Sequence, residues 1–482
     1  MPDARPVAFV NGVMLAMLAA VMLLPALADM ASGGPDARVF KACAGFTAFV
    51  GVGLMLAARA PRMGFNLRQA FLLTTTSWIV VAAFGALPFV HGSTALPYAD
   101  AYFEAMSGLT TTGSTVIVGL DRTGAGILLW RSLLHLLGGV GIIVLAVAIL
   151  PMLRVGGMQL FRLESSDKSE KVLPRATQIA TGIMIVYASL TSLCAIAFWL
   201  GGMSGFDALN HAISAMATAG FSTSDSSFAR FDSAFLEATC TAFMLCGGLT
   251  MTLFLRCWQG DPRSFLRDRQ LRAYLGVFVA FSIAISAWLV LVEGRELAYA
   301  LRHATFTVAS LVTTTGFSST DWGAWGAFPL VLVFMLTFVG GCSGSTAGGI
   351  KIFRFQVLFE VGRAQMRHAL VPSGVFVAKY NGKPITDAIA QSVLAFVALF
   401  GFSWGATAAA LALCGLDLVT ALTGAATALA NVGPGLGEVI GPSGSFAPLP
   451  QSAKWILSAA MLLGRLELIT VLVLFSLRFW RD

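Results

Sequence analysis

Apolar residues along this chain come in long runs rather than in alternation. Ten stretches, 7–28, 40–58, 69–90, 126–150, 176–200, 234–255, 273–292, 324–350, 388–413 and 455–477, are long enough to cross a bilayer, for which a helix needs about 20 apolar residues. No charged side chain occurs between 176 and 206, whereas strands of a membrane barrel alternate apolar and polar over about ten residues. The pattern predicts an all-α polytopic membrane protein. The first run follows Arg5 and ends in Ala26-Leu27-Ala28, which imitates a signal-peptidase site. Its apolar part exceeds the roughly 7–15 residues of a signal-peptide core, so a retained helix is expected.

Four further segments, 102–120, 208–224, 304–320 and 418–437, carry little charge but are too short and too rich in Thr, Ser and Gly to span. Each starts as a short helical piece, meets a polar turn with glycine, and sends the chain back to the side it came from. Aligned, the turns read Thr111-Thr112-Gly113, Thr218-Ala219-Gly220, Thr314-Thr315-Gly316 and Asn431-Val432-Gly433. Their glycines lie 107, 96 and 117 residues apart. A period near a hundred marks a duplicated membrane unit, not a solenoid. The helix after each turn again carries glycine: Gly138-Gly139, Gly247-Gly248, Gly340-Gly341 and Gly464. One such loop alone reads as an ordinary outer connection; four aligned copies predict four pseudo-repeats of helix, re-entrant loop and helix.

Composition agrees with this picture: 57% of the 482 residues are hydrophobic and 11% charged, against about a quarter charged in soluble domains. The net charge of +7 gains meaning by position. With both termini on one side, that side collects 22 Lys and Arg and the other eight, Arg131 and Lys454 among them, with Arg465 inside a span. The positive-inside rule then puts both termini and the connections 151–175, 256–272 and 351–383 in the cytoplasm. The seven cysteines are scattered without a CxxC pair and read as small core residues. Five dispersed histidines (His91, His135, His211, His303, His368) offer no ligand spacing, which argues against an intramembrane enzyme.

Irregular backbone at membrane depth survives only inside protein or along a water-filled path. Four re-entrant loops in one chain can surround a single pore and point successive carbonyls inward, replacing the water shell of a cation. Glycine tolerates the backbone angles this requires, and the C-terminal end of each short helix would favour positive charge. The expected potassium-binding set is Thr111, Thr112, Gly113, Thr218, Ala219, Gly220, Thr314, Thr315, Gly316, Asn431, Val432 and Gly433.

These turns, with LRVGGMQLFR at 153–162, ESSD at 164–167, SEKVLPR at 169–175 and GGCSGSTAGGIK at 340–351, make the chain resemble the Trk/Ktr/HKT superfamily of potassium transporters over essentially its whole length, and in particular the TrkH-type membrane subunits of bacterial potassium uptake systems. The resemblance implies two extra N-terminal transmembrane helices and potassium uptake across the inner membrane through a four-loop carbonyl selectivity filter. It also implies a homodimer and a cytosolic TrkA-type ring that binds ATP, ADP or NAD and docks on the basic loops; the alternative for these lysines and arginines is that they only set topology and touch anionic membrane lipid. This chain itself has no P-loop. The expected division is 1–66 for the N-terminal helices and 67–155, 156–260, 261–365 and 366–482 for the repeats. The fourth turn departs from the others by opening with Asn431 and continuing to Pro434, so weaker ion discrimination than in a dedicated channel is expected.

In the third repeat, Gly340, Gly341, Ser343, Gly344, Ser345, Thr346, Gly348 and Gly349 crowd into one predicted span. Small residues at i, i+4 and i+8 suit helix packing, yet two Gly-Gly pairs weaken a helix, and the resemblance implies an intramembrane gating loop. Arg465 stands where a charge costs about 2.5 kcal/mol or more; Glu467 or neighbouring carbonyls could neutralise it, and the resemblance implies a positive barrier touching the gate. His135 and Glu104 are assigned no role. A sodium- or proton-coupled potassium symporter is the alternative, disfavoured because the spans hold few carboxylates or histidines.

Overall fold

The structure, a computed structural model, describes residues 4–59, 66–144 and 176–481. The motifs at 153–175 and the basic connection 151–175 lie outside the described residues. Apart from a hairpin pairing Lys379–Tyr380 with Lys383–Pro384 and one isolated bridge, the described secondary structure is helical.

The N-terminal pair consists of Arg5–Val21, continued after Met22 by Leu23–Ser32, and Ala37–Ala57. Gly12 and Gly51 let these helices touch backbone to backbone, since a Cβ on either would come within 3.0 Å of the other's carbonyl oxygen. The pair is tied to the rest by polar groups. Asn11 donates to the Thr76 hydroxyl at 3.0 Å, and the buried Asp29 carboxylate accepts from the amides of Ala37 and Gly126.

Four units follow, each of long helix, half-helix and returning helix. The long helices are Leu67–Gly85 with Leu87–His91, Ala176–Leu200, Arg269–Leu291 and Asp387–Leu413. The half-helices, Tyr98–Leu109, Gly205–Met216, Leu297–Val312 and Leu418–Ala430, reach about 18–24 Å at 1.5 Å per residue and cannot cross a 30 Å core. Ser204 and Asp417 cap two of their starts, accepting from the amides of Asp207 and Thr420. The returning helices are Ala125–Val144, Ala234–Gly247, Ala327–Thr337 and Gln451–Arg465.

Three of the ten expected spans are interrupted. The one at 234–255 bends by 94° between Gly247 and Met251, and the one at 455–477 bends by 108° after Arg465, where Glu467 and Leu468 have φ of 62° and 40°. The one at 324–350 is helical only over Ala327–Thr337; the rest is a loop crossing to helix Ile352–Leu370. Hydropathy reports that a segment is apolar but not that it stays straight. Here glycine pairs release backbone groups that a neighbouring loop then satisfies: Gly248 O accepts from Cys342 N at 2.8 Å, and Gly344 O from Met251 N at 3.2 Å.

On the outer side the units join head to tail. Asp225 accepts from the amides of Gly119 and Leu120 (first to second), Phe228 N donates to Ser318 O (second to third), Ser318 Oγ to Pro442 O (third to fourth), and Phe446 N to Thr115 O (fourth to first). The four pseudo-repeats thus surround one central pore.

Candidate functional site: the central ring and the loop beneath it

Each half-helix ends in the same way. The amide of Thr112 bonds Ser107 O and that of Thr111 bonds Gly108 O; Ala219 and Thr218, Thr315 and Thr314, and Val432 and Asn431 repeat this pairing. This is the Schellman ending, which demands a left-handed residue. The residues there are Thr111, Thr218, Thr314 and Asn431, with φ between 51° and 58°. Three threonines in this region are true outliers, because β-branching makes left-handed backbone costly, on the order of 1–3 kcal/mol each. Asn431 adopts it more easily, so the departure seen in the fourth turn keeps the shape of the others.

The next glycines close the ring. Gly113, Gly220, Gly316 and Gly433 have φ of 85°, 82°, 83° and 110°. A Cβ on Gly113 would collide with Ala219 O, on Gly220 with Thr315 O, on Gly316 with Val432 O and on Gly433 with Thr112 O. Each glycine therefore packs against the carbonyl of the following unit, and the fourth returns to the first. All four line a single outer cavity of about 210 Å³. Residues Thr111, Thr112, Thr218, Ala219, Thr314, Thr315, Asn431 and Val432 are fully buried, yet among the described residues no donor reaches their carbonyl oxygens. Unpaired buried carbonyls are costly and therefore rare.

The glycines of the returning helices have a matching use. A Cβ on Gly138 would strike Leu109 O, on Gly247 would approach Met216 O, and on Gly464 would strike Leu429 O. Each glycine admits the last turn of its own half-helix.

Beneath the ring, residues 338–351 run from the third unit against the ends of the neighbouring half-helices. Gly340 N and Ile350 N hold the two ends together through Ile350 O and Phe338 O. Between them the loop touches three units. The Thr346 hydroxyl lies 3.0 Å from the carbonyl oxygens of Met216 and Gly247 and 3.1 Å from the Thr218 hydroxyl. Gly348 N donates to the Thr314 hydroxyl at 2.7 Å, and Gly349 N to Ala430 O at 2.8 Å. Thr250 donates to Ser343 O, and Gln270 accepts from Ser343 N. Ser345 Oγ turns back to Cys342 O. Buried Arg465 completes the arrangement, donating to Thr346 O at 2.8 Å and lying 3.4 Å from Gly138 O in the first unit. Gly340, Gly341, Gly344 and Gly349 permit close approach or positive φ within this loop.

Glu467, suggested by the sequence as a partner of Arg465, pairs instead with the fully buried Arg354. Arg465 is met by the carbonyls of Thr346 in the loop and Gly138 in a neighbouring helix, the other partner type the sequence offered. Lys351 and Arg354, counted with the cytoplasmic charges, are buried, and so are Arg131 and Lys454, counted with the outer ones.

Glu104 and Arg131 form the polar support that sequence reasoning missed. The two are fully enclosed and 2.8 Å apart; Glu104 also accepts from Val116 N and the Thr115 hydroxyl, while Arg131 donates to Ser222 O and stacks over Phe221. They brace the chain leaving the first ring segment against that leaving the second. Two charges of opposite sign in apolar surroundings 27 positions apart were the available signal. His135 reaches the Ser214 hydroxyl at 3.0 Å and stacks on Phe221. Four cysteines are buried, Cys246 and Cys414 are intermediate, and Cys257 is exposed.

Comparison with known proteins agrees with this geometry. The chain is 46% identical to the Trk system potassium uptake protein TrkI of Halomonas elongata, covering 99% of this chain and 97% of that one. It is 36% identical to the Trk system potassium uptake protein TrkH of Escherichia coli, over 99% of each. The crystal structure of the potassium transporter TrkH from Vibrio parahaemolyticus superposes with a TM-score of 0.92 at 34% identity, over 100% of both chains. The sequence model of the TrkH family, described as a cation transport protein, matches residues 36–481, and the chain belongs to that family.

Proposed function

We propose that this protein takes up potassium across the inner membrane, through a pore whose selectivity filter is the ring of Thr111 to Gly113, Thr218 to Gly220, Thr314 to Gly316 and Asn431 to Gly433. The observation that carries this reading is the set of eight buried residues whose carbonyl oxygens have no protein donor. Such oxygens exchange favourably with the water shell of a weakly hydrated monovalent cation. The C-terminal ends of the four half-helices add negative potential at the same point.

The loop from Gly340 to Gly349 is the gate, and Arg465 is its latch and a positive barrier. Crossing directly beneath Thr218, Thr314 and Ala430, the loop obstructs an ion leaving the ring, and the guanidinium on Thr346 O holds it there. Opening requires the bonds of Thr346, Gly348 and Gly349 to break together.

Coupled symport is not favoured. Among the described residues the buried Glu104, Glu237 and Glu467 are committed to arginines, and the buried Asp29 and Asp36 accept from backbone amides of Ala37, Gly126 and Ser93 in and beside the N-terminal pair, so these groups are poorly suited to carry a proton along the pore. Regulation comes from a cytosolic nucleotide-binding ring of the TrkA type, docked on connections 151–175, 256–272 and 351–383 of a homodimer with cytoplasmic termini. The units at 67–155, 156–260, 261–365 and 366–482 are the four quadrants, and 1–66 is an added brace.

Proteoliposome flux under imposed gradients tests this. Potassium and rubidium should pass at least several-fold faster than sodium, with no movement of protons required; equal potassium and sodium permeability would overturn the filter assignment.

A further inference from the structure

Beside the root of the crossing loop, helices Arg269–Leu291 and Ile352–Leu370 and strand Lys379–Tyr380 enclose a trough of about 550 Å³. Val277 and Phe281 form one wall and Phe355 and Phe359 the other. Its floor includes Val339 and Ile352, which flank the closed neck of the crossing loop. At one end the trough shares Glu360 and Lys379 with a basin of about 270 Å³, which Arg363 and Arg367 line together with Ala364 and the apolar chain at 375–378. Phe355, Phe359, Arg363 and Arg367 follow one another at every fourth position, so a single helical ridge is apolar for its first half and cationic for its second. Arg363, Arg367 and Lys379 are exposed, and among the described residues none of them forms an ion pair. Among the described residues that line the basin, Glu360 is the one carboxylate.

We propose that the trough and basin together bind one anionic phospholipid, with an acyl chain between the phenylalanines and the phosphate at Arg363, Arg367 and Lys379. The volume lies in the range of ligand-sized sites, and the division into an apolar slot and a cationic mouth matches an amphiphile of negative headgroup. A zwitterionic lipid would gain the slot but less from the mouth. The acyl chain also stands against Val339 and Ile352, so occupancy steadies both ends of the crossing loop. That consequence rests on the gate reading above; the binding itself does not.

The purified full chain, without any partner, is placed in nanodiscs or detergent with phosphatidylglycerol or phosphatidylcholine, and retained lipid is counted by native mass spectrometry. Wild type should retain phosphatidylglycerol preferentially, and Arg363→Gln, Arg367→Gln and Lys379→Gln should each weaken it roughly fivefold, the worth of one cation near an anionic headgroup. Val277→Trp, which fills the slot, should weaken both lipids alike. Equal retention of the two lipids by wild type, or full retention by the triple charge variant, would overturn the proposal. So would hydrogen exchange showing the trough shielded without lipid in a dimer, because a second copy would then be its occupant. If phosphatidylglycerol binds as described yet basal potassium flux ignores it, the lipid site stands and its steadying of the crossing loop falls.

Discussion

At the scale of single residues, left-handed backbone determines what the ring tolerates. Gly220 has both a φ of 82° and a carbonyl where its Cβ would stand, so Gly220→Ala must displace Thr315 O from the ring. Potassium flux in proteoliposomes should fall at least tenfold while the protein still purifies as a folded species. Glycine recurrence made this position legible in the sequence. The threonines before the glycines were legible as residues of the four turns but not as strained ones, because strain depends on the Schellman ending that precedes them. The Glu104–Arg131 pair was not legible either, since sequence separation hides which buried charges meet. Arg131→Met leaves Glu104 enclosed without its counter-ion and should cost about 3–5 kcal/mol, read as a lowered unfolding temperature in detergent. Adding Glu104→Gln should restore part of that loss; no restoration would mean that Arg131 acts through Ser222 and Phe221 alone.

At the scale of elements, the features that matter are the places where helices stop. Runs of apolar residues predicted seven of the ten spans and all four half-helices near their observed positions among the described residues, because burial in lipid imposes length and composition together. Breaks at Gly248 and after Arg465 escaped that reasoning. At Gly248 the bend is stable because residues 338–351, remote in sequence, take up its freed backbone groups, and the bend after Arg465 is met by the same loop through the arginine side chain on Thr346 O. The glycine crowding at 340–349 marked the loop itself. Arg465→Ala removes the donor from Thr346 O and should raise basal cation flux at least several-fold without loss of expression; unchanged flux in well-folded protein would end the latch role. Thr346→Val, which removes three hydroxyl contacts to the second unit, should act in the same direction and more weakly.

At the scale of the whole molecule, stability at the outer face depends on seams between units. Lys454 of the fourth unit pairs with Asp100 of the first, and Arg302 of the third with Glu237 of the second. Lys454→Met should lower thermal stability while leaving the preference for potassium over sodium intact, since neither partner touches the ring; loss of ion preference would mean that the seam sets filter geometry. The four seams use different residues and different bonds, although the quadrants they join are alike. Because a single polypeptide supplies all four sides of the ring, a substitution alters one ligand in four, whereas in a tetramer of identical subunits it would alter every one. Ion preference in such a molecule can be adjusted in quarter steps, and the fourth turn, where Asn431 and Pro434 stand, is the quarter that differs in sequence.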